Sequence, residues 1–252
     1  MFNPISEKEF LNSLVRDYQD VNPYSQSKKE VIFEMINSFF NQAATKTGLQ
    51  LGCSNGYETG ILAGHLQHLD VVDGSSDFIN KLSSDNKNPN INFIYALFEE
   101  FTAPDGKQYD YIFCNYILEH VYEVKPVLQN IRKALKKDGL LFTVVPNANA
   151  LSRQLAKQMG LVTDLKALTE NDHRHGHRRV YDKQAFLSDM DDAGFNVIDC
   201  RGVILKILAD FQLNKLLGEG FLTHDHIKGL NALGVSYPEL SDSIFAVSKV
   251  KK

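Results

Sequence analysis

Between Gly48 and Gly60 the chain reads Gly-Leu-Gln-Leu-Gly-Cys-Ser-Asn-Gly-Tyr-Glu-Thr-Gly, and no other stretch narrows the fold as far. A short apolar strand breaks into a loop of small residues, then into a helix beginning near Tyr57. Gly52, Ser54 and Gly56 carry little side chain, so a ligand can lie there against bare backbone. Free N–H groups at the start of the following helix favour a carboxylate or phosphate. In a chain of alternating strands and helices, such a turn is where an open α/β sheet takes a nucleotide cofactor.

The alternation is present. Apolar strand patterns are expected at 70–73, 91–96, 110–114, 140–145, 195–201 and 243–250, with helical patterns at 59–69, 77–82, 126–135, 148–169, 183–193 and 204–217. Residues 137–139 read as a turn and 83–90 as a surface loop. The core of the last strand, Ile244-Phe245-Ala246-Val247, is apolar without alternation, as in a strand buried on both faces. Two helices precede the first strand, one opened by the capping box Ser6-Glu7-Lys8-Glu9 and one over 25–44. They are expected to cap the sheet, with Tyr18 or Tyr24 as a lid over the cofactor in the sharper version of that reading. Together these patterns argue for a mostly parallel sheet.

Bulk properties exclude several classes. The net charge of -4 over 252 residues leaves no broad basic field for nucleic acid. No run of about 18 apolar residues is present, so no membrane span is expected. Cys53, Cys114 and Cys200 are odd in number and lack metal-site spacing, which favours reduced thiols and a cytoplasmic location. The N-terminus lacks the charged-then-apolar pattern of a signal peptide.

The glycine loop departs from the dinucleotide pattern G-x-G-x-x-G: aligned on Gly52, Ser54 and Tyr57 stand where glycines belong. Asp73 ends the second strand, where a carboxylate can accept both hydroxyls of a ribose. Leu49-Gln50-Leu51-Gly52-Cys53-Ser54-Asn55-Gly56, Val71-Val72-Asp73-Gly74-Ser75, Tyr109-Asp110-Tyr111-Ile112 with Leu118-Glu119-His120, and the Lys-Lys-Asp-Gly to Val-Pro-Asn region through Asn147 follow in order. That series resembles the motifs of the class I S-adenosylmethionine-dependent methyltransferases, over roughly residues 47–201.

The resemblance implies a Rossmann-like seven-stranded α/β sheet with helices on both faces, an N-terminal helical cap and a helical insertion after the fifth strand. One domain is expected: a cap over 1–46, a cofactor-binding half over 47–147, a substrate-side insertion over 148–182 and the rest of the sheet over 183–252. For the cofactor, S-adenosyl-L-methionine, it implies Gln50, Gly52, Cys53, Ser54 and Gly56 near the methionine end and Asp73 and Gly74 at the ribose. Leu97 and Phe98 would line the adenine, and Asn115 and Tyr116 would border the amine and the methyl group. Gln50 replaces the usual acid and keeps an acceptor oxygen for the amine.

Methyl transfer from a sulfonium is an in-line displacement, so alignment and exclusion of water dominate, with a base needed for an oxygen or nitrogen acceptor. His120, after the fourth strand, and His177, in a Gly-His-Arg-Arg-Val-Tyr segment similar to one in related small-molecule methyltransferases, are the candidate bases. His173, His175 and His177 alternate, which admits a metal site, a solvated basic loop or substrate contact; contact is preferred and no metal is expected. Arg178 and Arg179, with Tyr24 and Tyr181, are the expected substrate-binding residues. Their paired donors point to a small anionic acceptor. His224 and His226 read as surface residues of a late loop. A homodimer is compatible with the sequence. A non-catalytic relative of the fold and a nicotinamide-dependent oxidoreductase stay open as alternatives.

Overall fold

The computed structural model describes residues 3–15 and 22–251. Helices α1 (Pro4–Leu14) and α2 (Pro23–Asn37) precede the sheet. Then β1 (Thr47–Leu51), α3 (Tyr57–Ala63), β2 (His68–Asp73), α4 (Ser76–Asp85), β3 (Ile91–Tyr95) and β4 (Tyr109–Asn115) follow. The chain continues through α5 (Val124–Ala134), β5 (Leu135–Pro146), α6 (Leu151–Gln158), α7 (Glu170–Arg174), α8 (Lys183–Asp192) and β6 (Phe195–Val203). It ends with α9 (Asp210–Gly218), α10 (His224–Ser236) and β7 (Ser243–Val250).

The seven strands form one sheet in the order β3-β2-β1-β4-β5-β7-β6. The first five are parallel, and β7 lies antiparallel between β5 and β6. This is a Rossmann-like sheet. Its strand order reverses beside β1, whose neighbours are β2 and β4, so a crevice opens beyond the carboxyl ends of β1 and β4. As expected of a two-faced strand, β7 buries Phe245 and Val247 in one core and Ile244 and Ala246 in the other.

Helix α2 belongs to the core, burying Val31, Ile32, Met35 and Ile36 against one sheet face. It stops at Asn37, earlier than the pattern suggested. Phe39 and Phe40 then leave the helix to join an aromatic layer in which Phe113 and Phe142 stack with ring centroids 5.5 Å apart. Helix α1 starts at Pro4 with Asn3 as its cap; the expected Ser6 box lies inside it. Tyr18 lies outside the described residues.

Several expected elements differ. The helix over 148–169 shrinks to α6, which buries nothing: Met159 and Leu161 are exposed, and Gly160 turns the chain at a φ of +73°. Residues 137–139 are no free turn. They belong to β5, where pairing jumps from Tyr109↔Leu135 to Tyr111↔Leu140 and bulges the chain between. The late segment read as loose contains α10, so His224 and His226 sit in a helix's first turn. Glycines at 229 and 234 hid that helix. Gly234 is required there because a Cβ would stand 2.6 Å from the Ile204 backbone nitrogen at the end of β6.

Candidate active site

The loop after β1 is wound by three left-handed residues, Gly52 (φ +76°), Ser54 (φ +45°) and Gly56 (φ +80°). Gly52 N–H donates to Val72 O at 2.8 Å, pinning the loop to β2. Its missing Cβ would meet Ile117 at 2.6 Å, so only glycine fits. Ser54 holds a backbone conformation that costs a side-chain-bearing residue energy, the one strained compromise in the loop.

Asp73, at the end of β2, receives Cys53 N–H on Oδ2 at 2.9 Å and Ser75 N–H on Oδ1 at 2.8 Å. The Cys53 thiol donates to the same Oδ2 at 3.3 Å. Burial raises this carboxyl's pKa, against the lowering effect of those hydrogen bonds. The contacts fix the carboxylate beside the glycine loop with acceptor capacity to spare. Gly74 follows it, and a Cβ there would lie 2.5 Å from Leu11 of α1 and 3.0 Å from Leu97. Leu97 is buried, and Phe98 faces Gly52.

On the far wall, Asn115 Nδ2 donates to Glu58 Oε1 at 2.6 Å, while its Oδ1 is buried with no hydrogen-bond partner among the described residues. Gln50 does not offer the free oxygen expected of it: Oε1 accepts the Thr59 hydroxyl at 2.8 Å, tying β1 to α3. Tyr116 has a left-handed backbone (φ +56°), its hydroxyl donates to Ser243 Oγ at 2.9 Å, and Lys28 Nζ lies 4.7 Å from its ring centre. Burial pushes the phenol up to about 12.

Residues expected at the substrate divide sharply. Tyr24 is no exposed lid: it is 2% exposed, near the Lys28–Asp242 pair, and its hydroxyl finds no partner among the described residues. Tyr181 is also core, packed on Phe186 with its hydroxyl on Asp189 at 2.9 Å. Arg178 donates to both carboxylate oxygens of Glu7 (2.9 and 2.8 Å) and to His120 O (2.8 Å). Arg179 donates to Leu118 O and Val121 O, each at 2.6 Å, and to Tyr122 O at 3.0 Å. These guanidiniums hold backbone carbonyls and α1.

His120 and His177, distant in sequence, meet edge to face with ring centres 4.7 Å apart. His177 Nδ1 lies 2.8 Å from Asp172 Oδ1. Burial alone would raise the Asp172 carboxyl, but hydrogen bonds from His177 and Thr169 and the charge of Arg153 hold it well below the usual carboxylate range. Burial, and then the neighbouring His177, drives His120 down to about 3, so it is neutral and a poor base at neutral pH. Glu119 is 0% exposed, and burial pushes its carboxyl up to about 8. His173 is exposed on α7, and His175 Nδ1 lies 2.8 Å from Asn171 O with its ring centre 6.3 Å from that of His177, so the run does not bring all three histidines together. Glu58, Glu119 and Asp172 were missed as site residues. Glu119 stood in a quoted motif, but its burial with no side-chain hydrogen bond among the described residues has no sequence signal, and Asp172 was visible only as one acid of a polar run.

Strand order, left-handed glycine loop and the acid ending β2 define a Rossmann-like nucleotide-cofactor fold. Residues 25–199 match a family described as Methyltransferase domain, and the chain belongs to that family of enzymes. The resemblance read from the motifs is thereby borne out. A ubiquinone biosynthesis O-methyltransferase from Glaesserella parasuis serovar 5 is 28% identical over 144 residues, 55% of this chain and 61% of that protein, so the chain spans about three fifths of that relative. A protein of the same name from Rickettsia canadensis is 22% identical over 73% of this chain and 75% of its own length. Among solved structures, the N-methyltransferase NodS from Bradyrhizobium japonicum, in complex with S-adenosyl-L-homocysteine, superposes with a TM-score of 0.61 at 14% identity, covering 96% of this chain and 98% of that one.

Proposed function

We propose that the crevice binds S-adenosyl-L-methionine and that the enzyme transfers its methyl group to a hydroxyl oxygen of a small molecule. The observation that carries this is Asp73, fixed by two backbone N–H groups beside the loop at 52–56, where a ribose diol finds its acceptor. Leu97 and Phe98 supply an apolar edge for the adenine. Asn115 Oδ1 and the Glu58 carboxylate take the ammonium, the role that the sequence assigned to Gln50. In the reaction the acceptor O–H bond breaks, an O–CH3 bond forms and the S–CH3 bond breaks, leaving a neutral thioether. His177, backed by Asp172, is the group equipped to draw the proton, and His120 shapes the pocket.

Oxygen is preferred over nitrogen because the two relatives matched by sequence above carry the name O-methyltransferase, whereas NodS shares the fold alone. The anionic character expected of the acceptor is not carried forward, since Arg178 and Arg179 are already engaged. Calorimetry with S-adenosylmethionine, S-adenosylhomocysteine and NADH, followed by turnover on hydroxyl-bearing and amine-bearing panels, tests the reading. Binding of the first two and methylation of a hydroxyl are expected; NADH binding in their place would overturn it.

A further inference from the structure

Glu119 poses a problem that methyl transfer alone does not solve. Its side chain is wholly buried, yet neither carboxylate oxygen has a hydrogen-bond partner among the described residues. The nearby guanidinium of Arg179 donates to backbone carbonyls instead. A buried carboxyl without a compensating cation or donor is driven to its neutral form, and a bound cation is what would restore the carboxylate. Beside it stand two imidazoles: His120 Nε2 is 4.0 Å from Glu119 Oε1, and a ligand atom from each of Glu119, His120 and His177 lies within 4.8 Å of the other two.

From this geometry we infer that Glu119, His120 and His177 form a binding site for a divalent first-row transition metal ion. Two imidazole nitrogens and one carboxylate suit such a cation. Bonds of about 2.1 Å at ordinary angles separate ligand atoms by roughly 3.0–3.5 Å, so the three side chains need draw in by about 1 Å. The surrounding shell is already built. Asp172 sits at His177 Nδ1 and leaves Nε2 for a metal. Asp172 is itself held by Thr169 N–H at 2.8 Å, Thr169 Oγ1 at 2.7 Å and Arg153 at 3.3 Å. A carboxylate behind a histidine is the usual way to orient a ligating imidazole and raise its basicity. The alternating run contributes only His177; the other two ligands come from the turn after β4.

Three protein ligands leave coordination positions open. If the hydroxyl-methylation reading holds, the acceptor oxygen takes one of them and its pKa falls, so that the proton leaves to solvent before the methyl arrives. With the cation bound His177 is a ligand, and it is the base of the reaction only in the metal-free enzyme. The roles separate cleanly: a base needs His177 alone, whereas a cation site needs Glu119 and His120 too.

The test reads binding, not turnover. Full-length protein stripped by chelator is titrated with Co2+, followed by its visible absorption, and with Zn2+ by calorimetry. One equivalent is expected, with E119Q, H120Q and H177Q each weakening affinity about tenfold or more and D172N by a similar factor. H173Q and H175Q should leave it unchanged. S-adenosylhomocysteine affinity and circular dichroism of each variant report the fold. H177Q, at a partly exposed position, keeps the test decisive should E119Q not fold. The inference is overturned if wild-type protein binds neither ion stoichiometrically, or if binding survives in folded H177Q. Failure of wild type to bind S-adenosylhomocysteine would instead strike the methyl-transfer reading and leave the metal result standing.

Discussion

The Asp73 carboxylate accepts two backbone N–H groups and a thiol before any ligand arrives. Its charge is therefore held at the crevice by the same loop that must approach the cofactor. Asp73→Asn replaces an acceptor by an amide whose NH2 faces one of those donors. Hydrogen bonds to a charged group contribute about 1.5–3 kcal/mol, so S-adenosylhomocysteine affinity should fall roughly 10- to 100-fold, read by calorimetry. Asp73, Gly52 and Gly56 were legible because backbone geometry and position at a strand end dictate those residue types. Arg178 and Arg179 were not: sequence displays a charge but conceals its partner, and here Glu7 and four carbonyls absorb both. The partner of Gln50 was hidden for the same reason, because Thr59, in the first turn of α3, donates to its oxygen.

At the scale of elements, α1 is the piece laid across the crevice. Asn12 bonds Ser75 at 2.8 Å and Ser76 at 3.1 Å, Leu11 packs on Gly74, and Glu7 meets Arg178. Phe10 and Leu14 cover Gly176 beside the histidine cluster. Arg178→Ala removes the ion pair and the cation–π contact to Phe10, at 5.1 Å, in one step. Hydrogen exchange over 4–14 should rise, and S-adenosylhomocysteine should leave several-fold faster with a smaller change in its association rate. The sequence showed that this helix exists but not where it rests, since long-range contacts decide that. Helices with interior glycines, such as α10, and polar ones without a buried stripe, such as α6, were the elements misjudged.

For the whole molecule, sheet membership followed from the alternation of strand and helix patterns, while the antiparallel setting of β7 has no local signal. What joins the two ends of the fold is a buried charge group. Asp242, just before β7, binds Lys28 of α2 at 2.7 Å and Lys206 at 2.8 Å. Burial would raise the Asp242 carboxyl, but Lys206 and Lys28 hold it well below the usual carboxylate range. A depressed carboxyl stabilises the fold in full above its unfolded value near 4 and loses that contribution as pH falls through the folded value. Asp242→Asn should cost about 1.5–3 kcal/mol at neutral pH, because it removes the carboxylate from Lys28 and leaves Lys206 with Asp210 alone, and should flatten the acid side of the Tm–pH curve. Thermal melts between roughly pH 3 and 7 check both.

The place of β7 also orders events in time. It pairs with β5 on one side and β6 on the other, yet it is synthesised after both. Until those residues emerge from the ribosome, β5 and β6 each present an open edge, the kind of edge that recruits other chains. Nascent chains arrested with residues 243–250 still inside the ribosome should therefore aggregate or engage chaperones, and arrest behind a C-terminal extension long enough to let them emerge should relieve this.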